Sequence, residues 1–100
     1  MSDYLKETAI LLQKDFDISD QALAVSFEEL ERLLHIRIVE LLNRDFEKLL
    51  QICYRIDLGE QKLKQILYQT DPEVMSIELT RALIKRQMLK VEIRRRYAQE

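Results

Sequence analysis

The chain has 100 residues, of which 47% are apolar and 34% charged, and its net charge is −2. This composition fits one folded domain over residues 1–100 and excludes a disordered chain. It contains one Gly and one Pro, against average usage of about 7% and 5%, which excludes a sheet protein with many turns. We therefore expect an all-α fold, a small bundle of four to five helices with a long C-terminal helix.

Three features of the sequence predict a cytoplasmic protein. Cys53 is the only cysteine, so an internal disulfide is excluded. Residues 1–25 contain five acids and lack the basic start and apolar run of a secretory signal. No apolar run approaches the ~18 residues of a membrane span, so we expect no membrane partner.

Charge is distributed unevenly along the chain. Residues 1–31 contain eight acids and two bases, a net of −6, whereas residues 81–97 contain seven bases and one acid, a net of +6. The two ends of the sequence therefore carry opposite charge.

The first predicted helix begins at Ser2 or Asp3 and ends near Phe16. Asp and Ser residues in the following DFDISD segment favour a turn over a helix interior. The next segment, QALAV (21–25), is predicted to form a short helical piece. The apolar stripe of the first helix has steps of four, three and four residues, and consists of Leu5, Ala9, Leu12 and Phe16.

A capping box predicts the start of the second helix. Ser26 precedes Glu29 by three residues, the spacing at which the hydroxyl accepts from the Glu29 N–H and the carboxylate reaches back. The helix is therefore predicted to begin at Phe27. Its apolar face shifts by roughly 110° at Asn-Arg-Asp (43–45), which predicts a break there and a third helix over about 45–56.

Two further capping signals divide the rest of the chain. Asp57 lies three residues before Glu60, again the capping-box spacing, and predicts a short helix over about 59–69. Asp71 is then expected to cap a final helix whose first residue is Pro72. No helix-breaking residue follows, so this helix is predicted to continue to about Tyr97.

The stretch LLNRDFEKLLQICYRIDLGEQKLKQIL (41–67) and the later RQMLKVEIRRRY resemble a group of small bacterial helical proteins with no assigned activity. The similarity covers residues 27–97 and consists of apolar spacing more than chemistry. It implies a helical fold, and it carries over no catalytic or ligand-binding residue.

The final predicted helix is unusual because it is apolar on two opposite sides. Its 26 residues give a length of ~39 Å, more than the ~34 Å diameter of a compact domain of this size. One stripe consists of Met75, Leu79, Ala82, Leu89, Ile93 and Tyr97. The other consists of Ile77, Ile84, Met88 and Val91.

Two apolar faces indicate a helix packed on both sides, by its own chain or by a second chain. The preceding helices are short, so we expect them to cover only one face. The stripe of Ile77, Ile84, Met88 and Val91 would then meet the same stripe of a second copy. The sequence thus predicts an interaction or structural module that forms a homodimer through its last helix, without catalysis.

Nucleic-acid binding through the basic end of this helix is the first alternative. Arg94, Arg95 and Arg96 lie near the helix C-terminus, where cations interact favourably with free carbonyl groups. Arg96 is also expected to pair with Glu92, four residues earlier. Consecutive arginines point in directions 100° apart, and the acidic N-terminal third repels phosphate, so the helix-end interpretation is favoured.

The second alternative is a small-ligand-binding protein or an enzyme with a pocket near Arg86 or His35. Arg86 interrupts the first stripe, and we expect it to pair with a carboxylate of a neighbouring helix, with ligand anchoring as the minority interpretation. His35 is the only histidine, and Glu31 alone precedes it by one turn, so no metal site is predicted.

Catalytic and cofactor-binding motifs are not evident in the sequence. A single His and a single Cys do not indicate a catalytic triad, and one Gly does not build a phosphate-binding loop. Cys53 lies among large apolar residues and is expected to be a buried thiol. We therefore predict no cofactor.

Overall fold

The computed structural model describes residues 3–18 and 26–98, which form five helices and, within those ranges, no strand. The all-α prediction with a long C-terminal helix is therefore confirmed, whereas the predicted helical piece QALAV lies outside the described residues. The helices are α1 (Asp3–Asp15), α2 (Phe27–Arg44), α3 (Phe46–Ile56), α4 (Glu60–Gln69) and α5 (Pro72–Ala98).

Short-range capping bonds set the predicted boundaries. Ser26 Oγ accepts a hydrogen bond from the Glu29 N–H at 3.1 Å and begins α2. The Asp45 side chain accepts from the Lys48 N–H at 3.1 Å and begins α3. The break between α2 and α3 is thus confirmed, and its cause is a side chain that satisfies a free N–H of the next helix.

The role predicted for Asp57 is wrong. Its backbone is left-handed, with φ 65°, and its N–H donates to the Tyr54 carbonyl at 3.0 Å, so Asp57 closes α3. Gly59, with φ 98°, precedes α4 without any side-chain cap. The short link needs two residues with positive φ, and only one of them is glycine. An Asp can end one helix or begin the next, and its spacing to Glu60 does not distinguish the two.

The long helix α5 is the spine of the molecule. Its 27 residues span ~40 Å, which matches the longest extent of the fold, 41 Å. All four other helices contact it. The α1 helix is antiparallel to α5, because Glu7 pairs with Arg95 whereas Asp15 accepts a hydrogen bond from Gln87 at 2.8 Å.

Every helix contributes to one hydrophobic core. Each helix has an apolar side and a polar side because its apolar side packs against this core. Within the part of the chain that the structure describes, no helix is long and apolar enough to cross a membrane. The largest fully buried side chains are Phe16, Leu12, Leu30, Leu34, Ile38, Leu49, Ile52, Ile56, Leu79, Leu83, Ile84 and Val91.

Candidate functional site

The stripe of α5 predicted to form an interface is covered by the chain itself. Ile84 and Val91 are fully buried. Ile77 and Met88 are half-buried, and Met88 packs against the core. The premise that the fold leaves these four residues open is therefore wrong.

The covering helices are α1 and α2, both of which dock against α5. The sequence-based argument assumed that the short helices cover one face only. In the structure α1 contacts α5 beside Ile84 and Val91 through the Asp15–Gln87 hydrogen bond, α2 lines a cleft with Ile77, and α4 also contacts α5. The four residues belong to the internal packing of a small bundle.

The opposite stripe is covered only along its first half. Leu79 is buried, and Met75 and Ala82 pack against the core. The ten residues of α4 span ~15 Å, and only Thr70 and Asp71 separate α4 from α5. The α4 helix therefore folds back along the first part of α5 and cannot reach its second half.

Beyond the reach of α4, three large side chains stay exposed to solvent. Leu89 is 43% exposed, Ile93 41% and Tyr97 74%. They follow one another at steps of four residues, so they form a continuous row on the helix surface. We call Leu89, Ile93 and Tyr97 the apolar stripe.

A row of basic residues runs beside the apolar stripe. Arg86, Lys90 and Arg94 also follow at steps of four, and we call them the basic row. Each lies three residues before a member of the apolar stripe, and residues three apart are neighbours on a helix. The consecutive arginines at 94–96 obscured this row in the sequence, where the signal was the repeat of basic residues every fourth position.

The basic row has few carboxylate partners. Arg86 Nη2 donates to Asp57 Oδ2 at 3.3 Å. A carboxylate of a neighbouring helix was predicted as its partner, and Asp57 is the residue that caps the C-terminus of α3. Arg86 Nε is buried, and none of the described residues forms a hydrogen bond with it. Burial lowers the pKa of Lys90, and the positive charge of Arg86 lowers it further, while Asp57 and Asp15 oppose the shift. An added negative charge here would be favourable.

The other two arginines of the triplet point elsewhere. Arg95 Nη2 donates to Glu7 Oε1 at 2.8 Å, and its guanidinium lies 4.7 Å from the centre of the Tyr4 ring. The hydrogen bond from Arg95 lowers the pKa of Glu7. Arg96 pairs with Glu92 at 2.8 Å, as predicted. The triplet is therefore not one cationic cluster, and its middle member ties α5 to α1.

His35 lies on the flank of α2, where its Nε2 is 2.8 Å from Ser76 Oγ on α5. A cleft of about 290 Å³ opens beside it. The charged groups there already contact one another, since Arg81 Nε donates to Glu31 at 3.0 Å. Among the described residues, no three His, Cys, Asp or Glu side chains are grouped to hold a metal ion. The lining residues are Glu28, Glu31, Arg32, His35, Ile77 and Arg81.

Cys53 is buried in the core, as predicted, and burial raises the pKa of its thiol to about 11. The ordinary thiol pKa on the same scale is 9.0, so at pH 8 the thiolate fraction of folded Cys53 is lower by roughly 100-fold. We therefore expect the folded protein to react with Ellman's reagent at least ~100-fold more slowly than the urea-unfolded chain. Equal rates would show that the thiol is accessible.

The candidate surface is thus the apolar stripe with the basic row beside it, on the half of α5 that α4 does not reach. Compared with protein-family profiles, with curated proteins and with solved structures, the chain matches none of them.

Proposed function

We propose that the chain is a non-catalytic protein-interaction module whose contact surface is the apolar stripe. The observation that carries this proposal is the exposure of Leu89, Ile93 and Tyr97 in one row on the second half of α5. Isolated exposed apolar residues are common in folded proteins, but a contiguous row with a charged rim is typical of a protein contact.

Self-association remains a prediction, but the apolar stripe suits a different protein better than a second copy. The stripe exposes on the order of 300 Å², whereas stable dimers bury about 1,200–2,000 Å² in total. In an antiparallel symmetric pair each flank of the helix meets its own copy, so Lys90 and Arg94 would face like charges. Such a pair is both small and electrostatically unfavourable.

Site-specific photocross-linking tests the proposal. A benzophenone amino acid at position 97, in the organism that encodes the protein, is expected to give an adduct of defined mass. Tyr68 provides the matched control, because it is 76% exposed and lies on α4, away from the stripe. We expect the adduct at position 97 to vanish when Leu89 and Ile93 are replaced by Ser, and to have no counterpart at position 68.

The serine variant must remain folded for this comparison, and exposed positions permit it. Its thermal unfolding should therefore match that of the parent within a few degrees. An adduct at position 97 that persists in the serine variant would contradict the proposal. A product of twice the 12.0 kDa chain mass would support self-association instead.

A further inference from the structure

We infer that the partner contacts this surface through an acidic amphipathic helix of about three turns, seated between the apolar stripe and the basic row. The inference rests on the proposed function and adds the shape and charge of the docking element. Three observations carry it: the spacing of the two rows, the excess of positive charge, and the kind of apolar side chain exposed.

The two rows have the geometry that accepts a helix. Residues at steps of four form ridges on a helix surface, and a second helix places its own ridge in the groove between them. Each step along either row rises ~6 Å. A partner helix with carboxylates on one side and aliphatic residues on the other repeats the same spacing. Two such ridges favour a crossing angle of about −50°, which limits the contact to roughly three turns.

The charge of this half of α5 favours a negative partner. Residues 85–97 contain six bases and one acid, Glu92. Arg95 and Arg96 are paired within the chain. Within the described residues, Lys90 and Arg94 form no direct ion pair, although Asp57 and Asp15 act on Lys90 and Glu7 acts on Arg94 at longer range. Two basic side chains without a direct ion pair offer favourable positions for two carboxylates of a partner.

The exposed apolar residues favour a protein over a nucleic acid or an anionic bilayer. A nucleic acid would use the basic row and stack on Tyr97, but Leu89 and Ile93 would stay in water. The exposed Asp57 carboxylate beside Arg86 opposes any extended surface of phosphates. A short acidic helix that pairs with Lys90 and Arg94 contacts the row one and two turns beyond Arg86, the member already paired with Asp57.

Fluorescence anisotropy of the full chain with two designed peptides tests the inference. Both are fluorescein-labelled helices of about 14 residues with the same Leu and Ile positions. One carries Glu beside the apolar residues and the other carries Lys. We expect the Glu peptide to bind with a Kd of tens to hundreds of micromolar, and the Lys peptide to bind at least ~10-fold more weakly.

Two double variants locate the contact. Replacing Lys90 and Arg94 with Ala is expected to weaken binding of the Glu peptide about fivefold to tenfold, since each exposed charge pair contributes modestly. Replacing Lys6 and Lys14 with Ala changes the net charge equally on exposed positions of α1, and it should leave the Kd within about twofold.

The outcomes separate this inference from the proposed function. Equal binding of the two peptides, or an equal loss in both double variants, would overturn the acidic helix while the cross-link at position 97 stands. A DNA oligonucleotide or a phosphatidylglycerol vesicle that binds more tightly than the Glu peptide would also overturn it. If the parent chain gives no adduct at position 97, the proposed function itself is contradicted.

Discussion

Replacement of Ile84 by Asp is expected to unfold the protein. Ile84 is fully buried in the core, so a carboxylate there has neither water nor a cationic partner. Burying an unpaired charge costs several kcal/mol or more, against a total stability of about 5–15 kcal/mol for a domain. Far-UV circular dichroism should show loss of helix at 25 °C, or a melting temperature lower by tens of degrees.

Ile93 provides the matched control on the same helix. It has the same side chain as Ile84 but is 41% exposed, so Ile93→Asp should remain folded and melt within a few degrees of the parent. The comparison also decides between the two descriptions of α5. If Ile84→Asp were folded and monomeric while the parent was dimeric, Ile84 would lie in the interface predicted from the sequence. The burial of Ile84 in the core of one chain would then be contradicted.

Local signals in the sequence were sufficient to place most helices. The hydroxyl of Ser26 and the carboxylate of Asp45 act on an N–H three residues away, so their effect does not depend on the rest of the fold. The pair of Arg96 with Glu92 is equally local. Asp57 was misread because two helices meet there, and only the backbone angles show which of them it closes.

The packing of the helices against one another could be predicted from the sequence only in part. The opposite charges of the two chain ends agree with the contact between Glu7 and Arg95, although the sequence did not indicate which residues would pair. Which stripe of α5 is covered depends on where α1 and α2 dock, and periodicity carries no information on that. The predicted lengths did contain one usable signal, because a ten-residue α4 cannot cover a 27-residue α5.

The candidate surface was missed for a related reason. The sequence showed two apolar stripes, and the one from Ile77 to Val91 was predicted to be the uncovered one because the preceding helices are short. The exposed residues belong to the other stripe, the one that begins at Met75. They can be recognised only when the structure shows that α4 covers the first half of that stripe and not the second. The basic row was likewise hidden, because Arg94 was grouped with its sequence neighbours and not with Lys90 and Arg86.

The docking of α1 determines whether the buried stripe of α5 stays buried, and Phe16 is its anchor. Phe16 follows the last residue of α1 and is fully buried, and its carbonyl accepts a hydrogen bond from Arg37 Nε of α2 at 2.9 Å. Phe16→Ala is therefore expected to reduce the free energy of unfolding by about 3–5 kcal/mol. Urea unfolding followed by circular dichroism measures this loss.

Phe46→Ala is the control for this substitution, because Phe46 begins α3 with 40% of its surface exposed, and its loss should cost less than about 1.5 kcal/mol. Loosening α1 should also uncover the side of α5 that holds Ile84 and Val91. We therefore expect Phe16→Ala, and not Phe46→Ala, to increase the fluorescence of a hydrophobic dye such as ANS under native conditions. Equal losses of stability in the two variants would show that α1 is not held by Phe16, and the burial of Ile84 and Val91 would then depend on α2 alone.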